Sequence, residues 1–350
     1  MKIAIAHDYL HTYGGAERVL IALHEAYPDA PIYTSVYYKD VFPVEMQTWD
    51  IRTSFLQKFP KRFYKSFKIL YPIAFLSFNF NKYDLIISST AGMAKGINKP
   101  HNAIHISYIH TVPRAIINVD NRKGVINAII SKCYKSYDLF IAKKVDYFIA
   151  NSQVVHDRIL KFYNSESVII NPPVEIDKLK SHINQPHPAD YFVMIGRLEK
   201  YKGTLQVAQV IKKLNLKLKV IGIGPESAEI LTYGDNIEYL GGVDDAIKAN
   251  ILYNSLSLIF WAFEDFGITI AESISLGVPV IAYAKGGSIE ILNDTNSVLF
   301  KDQTMYSLEK ALNEFKSRSF DRKSIMKDGL RFSKENFISQ TKAFVESKTI

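Results

Sequence analysis

The sequence predicts an α/β protein built from two doubly wound, Rossmann-like domains that face each other across a central cleft. The chain has 350 residues, which exceeds the size at which a single hydrophobic core usually stops growing, so two domains are expected. Apolar, strand-like segments alternate with helical patterns along the chain, which is typical of parallel sheets covered on both faces. One polar, proline-rich stretch near the middle interrupts this alternation.

The predicted strands follow one another through both halves of the chain. In the first half they are KIAIAHDY, YDLIISS, HISYIH, YFIANS and VIINPPV, and in the second half YFVMIGR, LKLKVIGIG, IEYLG, SLIFWA and VPVIAY. The stretch NPPVEIDKLKSHINQPHPAD predicts the boundary between two domains, residues 1–170 and 171–333. A C-terminal helix at about residues 334–350 is expected to pack back on the first domain.

Composition restricts the class of protein. Hydrophobic residues make up 47% of the chain and charged residues 22%, as in ordered globular proteins. The net charge of +8 favours acidic partners, such as phosphate-bearing small molecules, nucleic acid or anionic membranes. The N-terminus lacks the long apolar core of a signal peptide, and no apolar run reaches the length of a membrane span. With one cysteine, Cys133, no intramolecular disulfide can form, and a cytoplasmic protein is expected.

The first strand leads into a loop that contains two adjacent glycines. Gly14 and Gly15 stand before a helical pattern that starts near Ala16. Glycines let the backbone approach a ligand closely, and the free amide groups at the start of a helix favour phosphate. A simple tight turn accounts for the two glycines equally well.

Two basic residues follow the first strand of the second half. Arg197 and Lys202 lie in IGRLEKYKG, and a guanidinium with an ammonium can neutralise a diphosphate without a metal ion. The alternative is a pair of solvated surface cations. The next loop, VIGIGPES, supplies Gly222 and Gly224 but lacks the third glycine of a dinucleotide-binding fingerprint.

The stretch WAFEDFGITIAES contains two glutamates, Glu264 and Glu272, with seven residues between them. SLIFWA predicts a buried strand, residues 263–267 the loop at its carboxyl end, and ITIAESISLG a helix that ends at Gly277. Glu272 is embedded among apolar residues of that helix, which is unusual for a solvent-facing glutamate. A carboxylate that accepts hydrogen bonds from paired hydroxyls suits a ribose or a hexose.

These motifs resemble the retaining glycosyltransferases of family 4, which have the two-domain GT-B fold. The resemblance rests on the two glutamates, the FG after the first of them, GVPVIA, and GGSIE. The stretches HDYLHTYGGAERVLIALHEAYPDAPIYT and YIHTVPRA resemble in particular the bacterial O-antigen mannosyltransferases that use GDP-mannose. The resemblance implies that the N-terminal domain binds the acceptor and the C-terminal domain the nucleotide sugar.

The resemblance also implies roles for individual residues. Glu272 would bind the nucleotide ribose and Glu264 the hydroxyls of the transferred sugar, while Arg197 and Lys202 would hold the diphosphate. His110, in YIHTVPR, would donate a hydrogen bond to a sugar hydroxyl or to the developing charge; outside the resemblance, one histidine at a strand end is more often structural. The implied catalytic residues are His110, Arg197, Lys202 and Glu264, and the implied donor-binding residues are Gly14, Gly15, Arg197, Lys202, Glu264, Phe266, Gly267, Ile268 and Glu272.

The implied reaction is transfer with retention of the anomeric configuration, with the departing diphosphate stabilised by cations. No D-x-D sequence occurs in the chain, so the metal clamp of the other main glycosyltransferase fold is not supported. His7 with His11, and His101 with His105, have the spacing of helical metal ligands, but neither pair has an evident third ligand. We therefore expect no metal and no other cofactor.

The segment LQKFPKRFYKSFKILYPIAF, residues 56–75, interleaves basic and aromatic residues. This mixture predicts peripheral binding to the anionic inner face of the cytoplasmic membrane, and the resemblance implies a saccharide acceptor on a polyprenyl diphosphate. The alternative is a surface helix whose aromatic residues pack on the N-terminal domain.

Several other functions can be weighed against the sequence. The preferred expectation is transfer of mannose from GDP-mannose to a lipid-linked saccharide in bacterial surface polysaccharide synthesis, either O-antigen or capsule. A UDP-sugar-dependent enzyme of the same fold and a nucleotide-sugar epimerase are the alternatives, since the residues around 222–226 and 241–244 give no code for the base. An oxidoreductase should show a complete G-x-G-x-x-G, and the basic residues form no nucleic-acid recognition motif, so no nucleic acid partner is expected.

Overall fold

The computed structural model describes residues 1–61, 70–113, 125–183 and 190–349. The chain divides into two compact units, each with its own parallel sheet. The first unit comprises Met1–Pro173 and Phe337–Ile350, and the second comprises Val174–Asn336.

The sheet of the first unit has seven parallel strands in the order β3-β2-β1-β4-β5-β6-β7. Their bounds are β1 Ile3–His7, β2 Ile32–Thr34, β3 Ile51–Thr53, β4 Leu85–Thr90, β5 Ile104–Ile109, β6 Tyr147–Ala150 and β7 Ser167–Ile169. Strand β1 pairs with both β2 and β4, so the strand order reverses beside β1. In open α/β sheets this reversal opens a crevice at the carboxyl ends of the strands, where ligands bind.

The described helices of the first unit cover its sheet. They are α1 Gly15–Ala26, α2 Tyr71–Leu76, α3 Val125–Ala142 and α4 Gln153–Tyr163. Helix α1 buries Val19, Leu20 and Leu23 against the sheet because apolar residues recur on one of its faces. Helix α4 begins at the side chain of Ser152, which accepts a hydrogen bond from the amide of Val155.

The sheet of the second unit has six parallel strands in the order β10-β9-β8-β11-β12-β13. Their bounds are β8 Tyr191–Ile195, β9 Lys217–Ile221, β10 Ile237–Gly241, β11 Leu258–Phe260, β12 Val280–Tyr283 and β13 Ser297–Phe300. Strand β8 pairs with β9 on one side and with β11 on the other, so the reversal of strand order lies beside β8.

Helices lie on both faces of this second sheet. They are α5 Ile176–Ser181, α6 Thr204–Lys213, α7 Ser227–Ile230, α8 Asp245–Asn254, α9 Ile268–Ser275, α10 Ser288–Ile291, α11 Met305–Ser317 and α12 Arg322–Gly329. In β8, Val193 packs into the apolar cluster that contains α9, while Phe192 and Met194 pack into the cluster that contains α6. Because both faces are buried, the strands are apolar at successive positions rather than at alternate ones.

The last helix, α13 Lys334–Thr349, contributes its apolar side to the core of the first unit. Phe337 and Val345 are buried there, and the ring of Phe337 lies 5.8 Å from the ring of Tyr108 in an edge-on arrangement. Across the described part of the chain, no helix combines the length and the apolar character needed to cross a bilayer.

The prediction of two doubly wound parallel sheets is confirmed. All ten strands predicted from the sequence are present, and three more are found, namely β2, β3 and β13. The first two have three residues each, which is too short for an alternation pattern to be read from the sequence.

Candidate active site

In the first unit, polar side chains meet at the carboxyl ends of three neighbouring strands. His7 is the last residue of β1 and is the register partner of Ser89 on β4, and His110 follows β5. Nδ1 of His7 lies 3.2 Å from Oγ of Ser89, and the same oxygen lies 2.8 Å from Nε2 of His110. His110, the histidine proposed from the sequence, is therefore the last of three hydrogen-bonded residues, His7, Ser89 and His110.

The backbone and the environment of His110 are well defined. Its amide donates to the carbonyl oxygen of Thr90 at 2.9 Å, and its own carbonyl oxygen accepts from Nδ2 of Asn151 at 2.8 Å. Burial, with a smaller contribution from nearby His7, lowers the pKa of His110 to about 3. The imidazole is therefore neutral near pH 7, with one protonated nitrogen and one acceptor nitrogen.

The two predicted glycines of the first loop stand at the start of α1. Gly14 precedes the helix in an extended conformation and Gly15 is its first residue. Glu17, in the first turn, is buried, and its Oε1 lies 3.7 Å from Nε2 of His7. A Cβ on Gly14 would lie 3.4 Å from Oε2 of Glu17, so the glycine leaves space for that carboxylate. Its N-cap residue, Gly14, has no side chain to cap the helix, and the first amide groups of a helix favour an anion.

Asp8, next to His7, holds the loop that follows β4. Its Oδ1 accepts hydrogen bonds from Oγ1 of Thr90 at 2.8 Å and from the amide of Ala94 at 2.7 Å. Its Oδ2 accepts from the amide of Ala91 at 2.7 Å. Asp8, Glu17 and Ser89 were not predicted as site residues, although HD at the end of a strand and GGAER at the start of a helix were visible in the sequence.

In the second unit, Arg197 lies on the loop after β8, which packs tightly against the loop after β9. The amide of Leu198 donates to the carbonyl oxygen of Ile223 at 3.1 Å. Gly222 has a φ of +137°, and a Cβ there would lie 1.8 Å from the carbonyl oxygen of Gly196. Gly222 is therefore required for the close approach of the two loops, and this packing accounts for the glycine without a dinucleotide-binding role.

Lys202 and Glu264 form an ion pair between the loop after β8 and the loop after β11. Their side chains are 13% and 27% exposed, respectively, so both charges are largely removed from water. Burial, and then repulsion by the guanidinium of Arg197, lowers the pKa of Lys202 to about 8. Three of the four predicted catalytic residues thus lie together in the second unit.

The loop that carries Glu264 is fixed by the glycine pair of GGSIE. The amide of Gly287 donates to the carbonyl oxygen of Glu264 at 2.9 Å. A Cβ on Gly287 would lie 1.9 Å from the carbonyl oxygen of Phe266, so any larger residue would displace this loop. Phe266 is buried, Gly267 precedes α9, and Ile268 is the first residue of that helix.

Glu272 is the second glutamate of the motif and lies inside α9 with 2% of its surface exposed. Its Oε1 lies 3.2 Å from Nζ of Lys248 on α8, and the same ammonium lies 2.9 Å from Oδ1 of Asp245. Lys248 gave no signal in the sequence, because a lysine on a helix is ordinarily solvated.

The candidate residues therefore fall into two sets. Gly14, Gly15 and His110 belong to the first unit, and Arg197, Lys202, Glu264, Phe266, Gly267, Ile268 and Glu272 belong to the second. Within the described ranges, no group of three or more His, Cys, Asp or Glu side chains could hold a metal ion. Of the predicted membrane segment, Arg62, Lys65 and Lys68 lie outside the described residues.

Two family models match adjacent parts of the chain. The model described as Glycosyltransferase Family 4 matches residues 13–178, and the model described as Glycosyl transferases group 1 matches residues 175–331. Together they extend over both units and include every candidate site residue.

The O-antigen chain mannosyltransferase C of Escherichia coli is 23% identical over 336 residues, which cover 87% of this chain and 85% of that protein. The D-rhamnosyltransferase WbpZ of Pseudomonas aeruginosa is 23% identical over 180 residues, so the match spans 47% of this chain and 46% of that protein. Among solved structures, Anabaena HepE in complex with UDP and glucose superposes with a TM-score of 0.75. The two chains are 16% identical, and the superposition covers 99% of this chain and 100% of HepE, which establishes a shared fold.

Proposed function

Because this chain belongs to the family 4 glycosyltransferases of the GT-B fold, we propose that it transfers mannose from GDP-mannose to a lipid-linked saccharide, with retention of the anomeric configuration. We place the reaction in the synthesis of a bacterial surface polysaccharide, either O-antigen or capsule. Support for the sugar comes from the E. coli mannosyltransferase, whose match covers 87% of the chain.

The observation that carries the proposal is the ion pair of Lys202 and Glu264 beside Arg197. A nucleotide sugar presents a diphosphate, which needs cations, next to a sugar whose hydroxyls need acceptors. On donor binding, the ammonium of Lys202 would turn to the diphosphate and the carboxylate of Glu264 to the sugar hydroxyls. Arg197 would share the charge that develops on the diphosphate as the glycosidic bond breaks.

Glu272 and Lys248 form a second such pair on α9 and α8. A carboxylate that accepts from two neighbouring hydroxyls matches the 2- and 3-hydroxyls of a ribose. Because Lys248 also contacts Asp245, it keeps one acidic partner if Glu272 turns to the ribose.

The direct test of the site is a pair of substitutions, Arg197→Ala and Glu272→Ala. Both are expected to abolish most transfer while the unfolding midpoint stays close to that of the wild type. Lys213→Ala is the matched control, since Lys213 is 66% exposed and its ion pair with Glu309 joins α6 and α11 of the same unit. Normal turnover by both site variants would refute the assignment.

The donor is tested with a panel of nucleotide sugars. A donor at 100 times its Kd should stabilise the fold by about 2.7 kcal/mol, because only the folded state binds it. GDP-mannose is expected to raise the unfolding midpoint most. The complex of HepE with UDP and glucose favours a UDP-hexose as the second candidate, and stronger stabilisation by a UDP-sugar would establish it.

Two further measurements separate the proposal from its alternatives. Transfer releases free nucleoside diphosphate, whereas an epimerase interconverts nucleotide sugars without releasing it. Because the cations of the chain are proposed to replace a metal ion, turnover should be unaffected by EDTA; loss of activity that Mg²⁺ or Mn²⁺ restores would contradict this.

The proposed acceptor is a saccharide on a polyprenyl diphosphate at the inner face of the cytoplasmic membrane. In the described part of segment 56–75, the side chains of Phe59 and Ile73 are exposed, and Lys58 directly precedes Phe59. Nζ of Lys61 lies 4.9 Å from the ring centroid of Tyr38, a contact that a surface packing role would also give.

Co-sedimentation with anionic vesicles tests the attachment. Binding is expected at low salt and should weaken at high salt. Replacing Lys61, Arg62, Lys65 and Lys68 with glutamate should abolish it. Absence of binding at low salt, or binding that this variant retains, would exclude the segment as the anchor.

A further inference from the structure

We infer that Glu17 is a positioning residue, which acts through His7 and Ser89 to leave Nδ1 of His110 unprotonated, so that His110 accepts a hydrogen bond from substrate instead of donating one. The inference concerns the candidate site of the proposed transferase and therefore rests, for its consequence, on that function. It assigns a task to three buried residues that the proposed reaction does not otherwise use.

The geometry is a line of four side chains. Oε1 of Glu17 lies 3.7 Å from Nε2 of His7, whose Nδ1 lies 3.2 Å from Oγ of Ser89. That hydroxyl lies 2.8 Å from Nε2 of His110. Glu17, His7 and Ser89 are all less than 10% exposed, at 5%, 2% and 0%, so water cannot readily substitute for a missing partner.

The carboxylate of Glu17 contacts His7 at 3.7 Å, and its charge sets the direction of the two hydrogen bonds that Ser89 makes in this line. A carboxylate offers only acceptor atoms, so Glu17 favours a ring proton of His7 on Nε2, the nitrogen that lies 3.7 Å from its Oε1. Nδ1 of His7 is then an acceptor, and the hydroxyl of Ser89 must donate to it. The lone pairs of the Ser89 oxygen remain for the Nε2–H of His110.

The consequence appears at the other nitrogen of His110. Burial keeps the ring neutral, with a pKa of about 3, so a proton on Nε2 leaves Nδ1 with a lone pair. Among the described residues, the hydrogen bonds of the His110 ring are confined to Nε2. Nδ1 is therefore suited to accept from a hydroxyl of the sugar or of the saccharide acceptor.

The opposite set of proton positions would give His110 the other tautomer. If Nδ1 of His7 carried the proton, it would donate to Ser89, Ser89 would donate to His110, and His110 would present Nδ1–H. This arrangement places the lone pair of the His7 Nε2 towards the Glu17 carboxylate, which is electrostatically unfavourable. The charge of Glu17 thus selects between a donor and an acceptor role for His110.

The test is the tautomer of His110 in the protein without donor, which is measured independently of any activity. Long-range ¹H–¹⁵N correlation spectra of ¹⁵N-histidine-labelled protein distinguish the two tautomers, and the absence of one signal set in His110→Gln assigns His110 among the nine histidines. Spectra are recorded at about pH 8, where an imidazole ordinarily carries one ring proton. The wild type should show Nε2–H.

Glu17→Gln removes the charge and should give His110 a mixture of both tautomers. Glu25→Gln is the matched control, since it removes the same charge from an exposed position of α1 and should leave the tautomer unchanged. An Nδ1–H tautomer in the wild type, or an unchanged tautomer in Glu17→Gln, would overturn the inference. If Glu17→Gln does not fold, the wild-type spectrum and Ser89→Ala, which interrupts the line at its centre, still decide it.

Kinetics then connects the tautomer to transfer. Each of Glu17→Gln and Ser89→Ala should lower kcat about fivefold, the size of one hydrogen bond, with little change in KM for the donor. The double variant should fall no further than Ser89→Ala, because both residues act in one line. Additive losses in the double variant would contradict the inference. A complete absence of transferase activity in the wild type would instead refute the proposed function, and the spectra alone would then test the tautomer of His110.

Discussion

Donor affinity should fall steeply as the pH rises above 8, because the ammonium of Lys202 is the group proposed to bind the diphosphate and its pKa is lowered to about 8. Burial and the neighbouring Arg197 lower the pKa of this lysine from 10.5 to about 8 in the free protein. A diphosphate is expected to bind the charged form of Lys202. Where Lys202 is neutral, it must take up a proton before the donor can bind. A nucleotide sugar keeps its diphosphate charge constant between pH 7 and 9, so the pH dependence reports on the protein.

The magnitude follows from the fraction of Lys202 that is charged. With a pKa of about 8, that fraction is about 0.9 at pH 7 and about 0.1 at pH 9. The apparent Kd equals the intrinsic Kd divided by the competent fraction. Donor binding should therefore weaken about tenfold between these two pH values.

Isothermal titration of the best donor from the nucleotide-sugar panel measures this change. Lys202→Arg is the control, because a guanidinium stays charged across the whole range and its variant should bind with nearly constant affinity. Glu264→Gln should move the midpoint to lower pH, since the carboxylate that favours charged Lys202 is gone. A flat wild-type profile, or the same slope in Lys202→Arg, would refute the reasoning.

Three other predictions follow from the packing. Replacing both members of the Lys202–Glu264 pair, as Lys202→Met with Glu264→Gln, should raise the free energy of unfolding at pH 7 by about 1–4 kcal/mol in urea titrations, because both charges are largely buried and neither is left uncompensated; a loss of stability would contradict this. Lys95→Met should lower the free energy of unfolding by about 3–5 kcal/mol, since Lys95 and Asp138 form a fully buried ion pair at 2.5 Å and the carboxylate would be left uncompensated. Adding Asp138→Asn should recover part of this stability, and no recovery would show that packing dominates. Gly287→Ala should abolish most transfer because a Cβ would displace the loop at Phe266; circular dichroism checks that the fold survives, and full activity would show that the loop adapts.

The sequence was sufficient for the fold because the parallel strands are apolar at successive positions. Segments such as IAIAH and VIAY stand out between helical patterns, and each is buried on both faces in the structure. The edge strand β3, with the sequence IRT, is only half-buried, and its three residues are too few to show a strand pattern. Strand β13 is buried, yet its four residues follow a polar turn directly and give no separate pattern.

The candidate site was predictable residue by residue but not as a set of contacts. Lys202 and Glu264 were each proposed from their motifs, yet their ion pair joins loops 62 positions apart and depends on strand order. His7 and Ser89 are 82 positions apart and meet because β1 and β4 pair in one particular register. A register of this kind is set by the whole sheet, and therefore no local pattern could have revealed the line from Glu17 to His110.

Both glutamates of the motif are paired with lysines, and these pairs could serve either as structural supports or as binding groups. A largely buried ion pair contributes little net stability, because desolvation of the two charges offsets their attraction. Lys202–Glu264 and Lys248–Glu272 are therefore poorly explained as structural supports. In the proposed reaction both pairs would serve as binding groups: a diphosphate would replace the carboxylate beside Lys202, sugar hydroxyls would replace the ammonium beside Glu264 and Glu272, and Lys248 would keep Asp245, so that no buried charge is left alone. These groups lose their water when the chain folds, so a donor would bind to side chains that are already desolvated and oriented. Charges act most strongly on a departing diphosphate when water is excluded in this way.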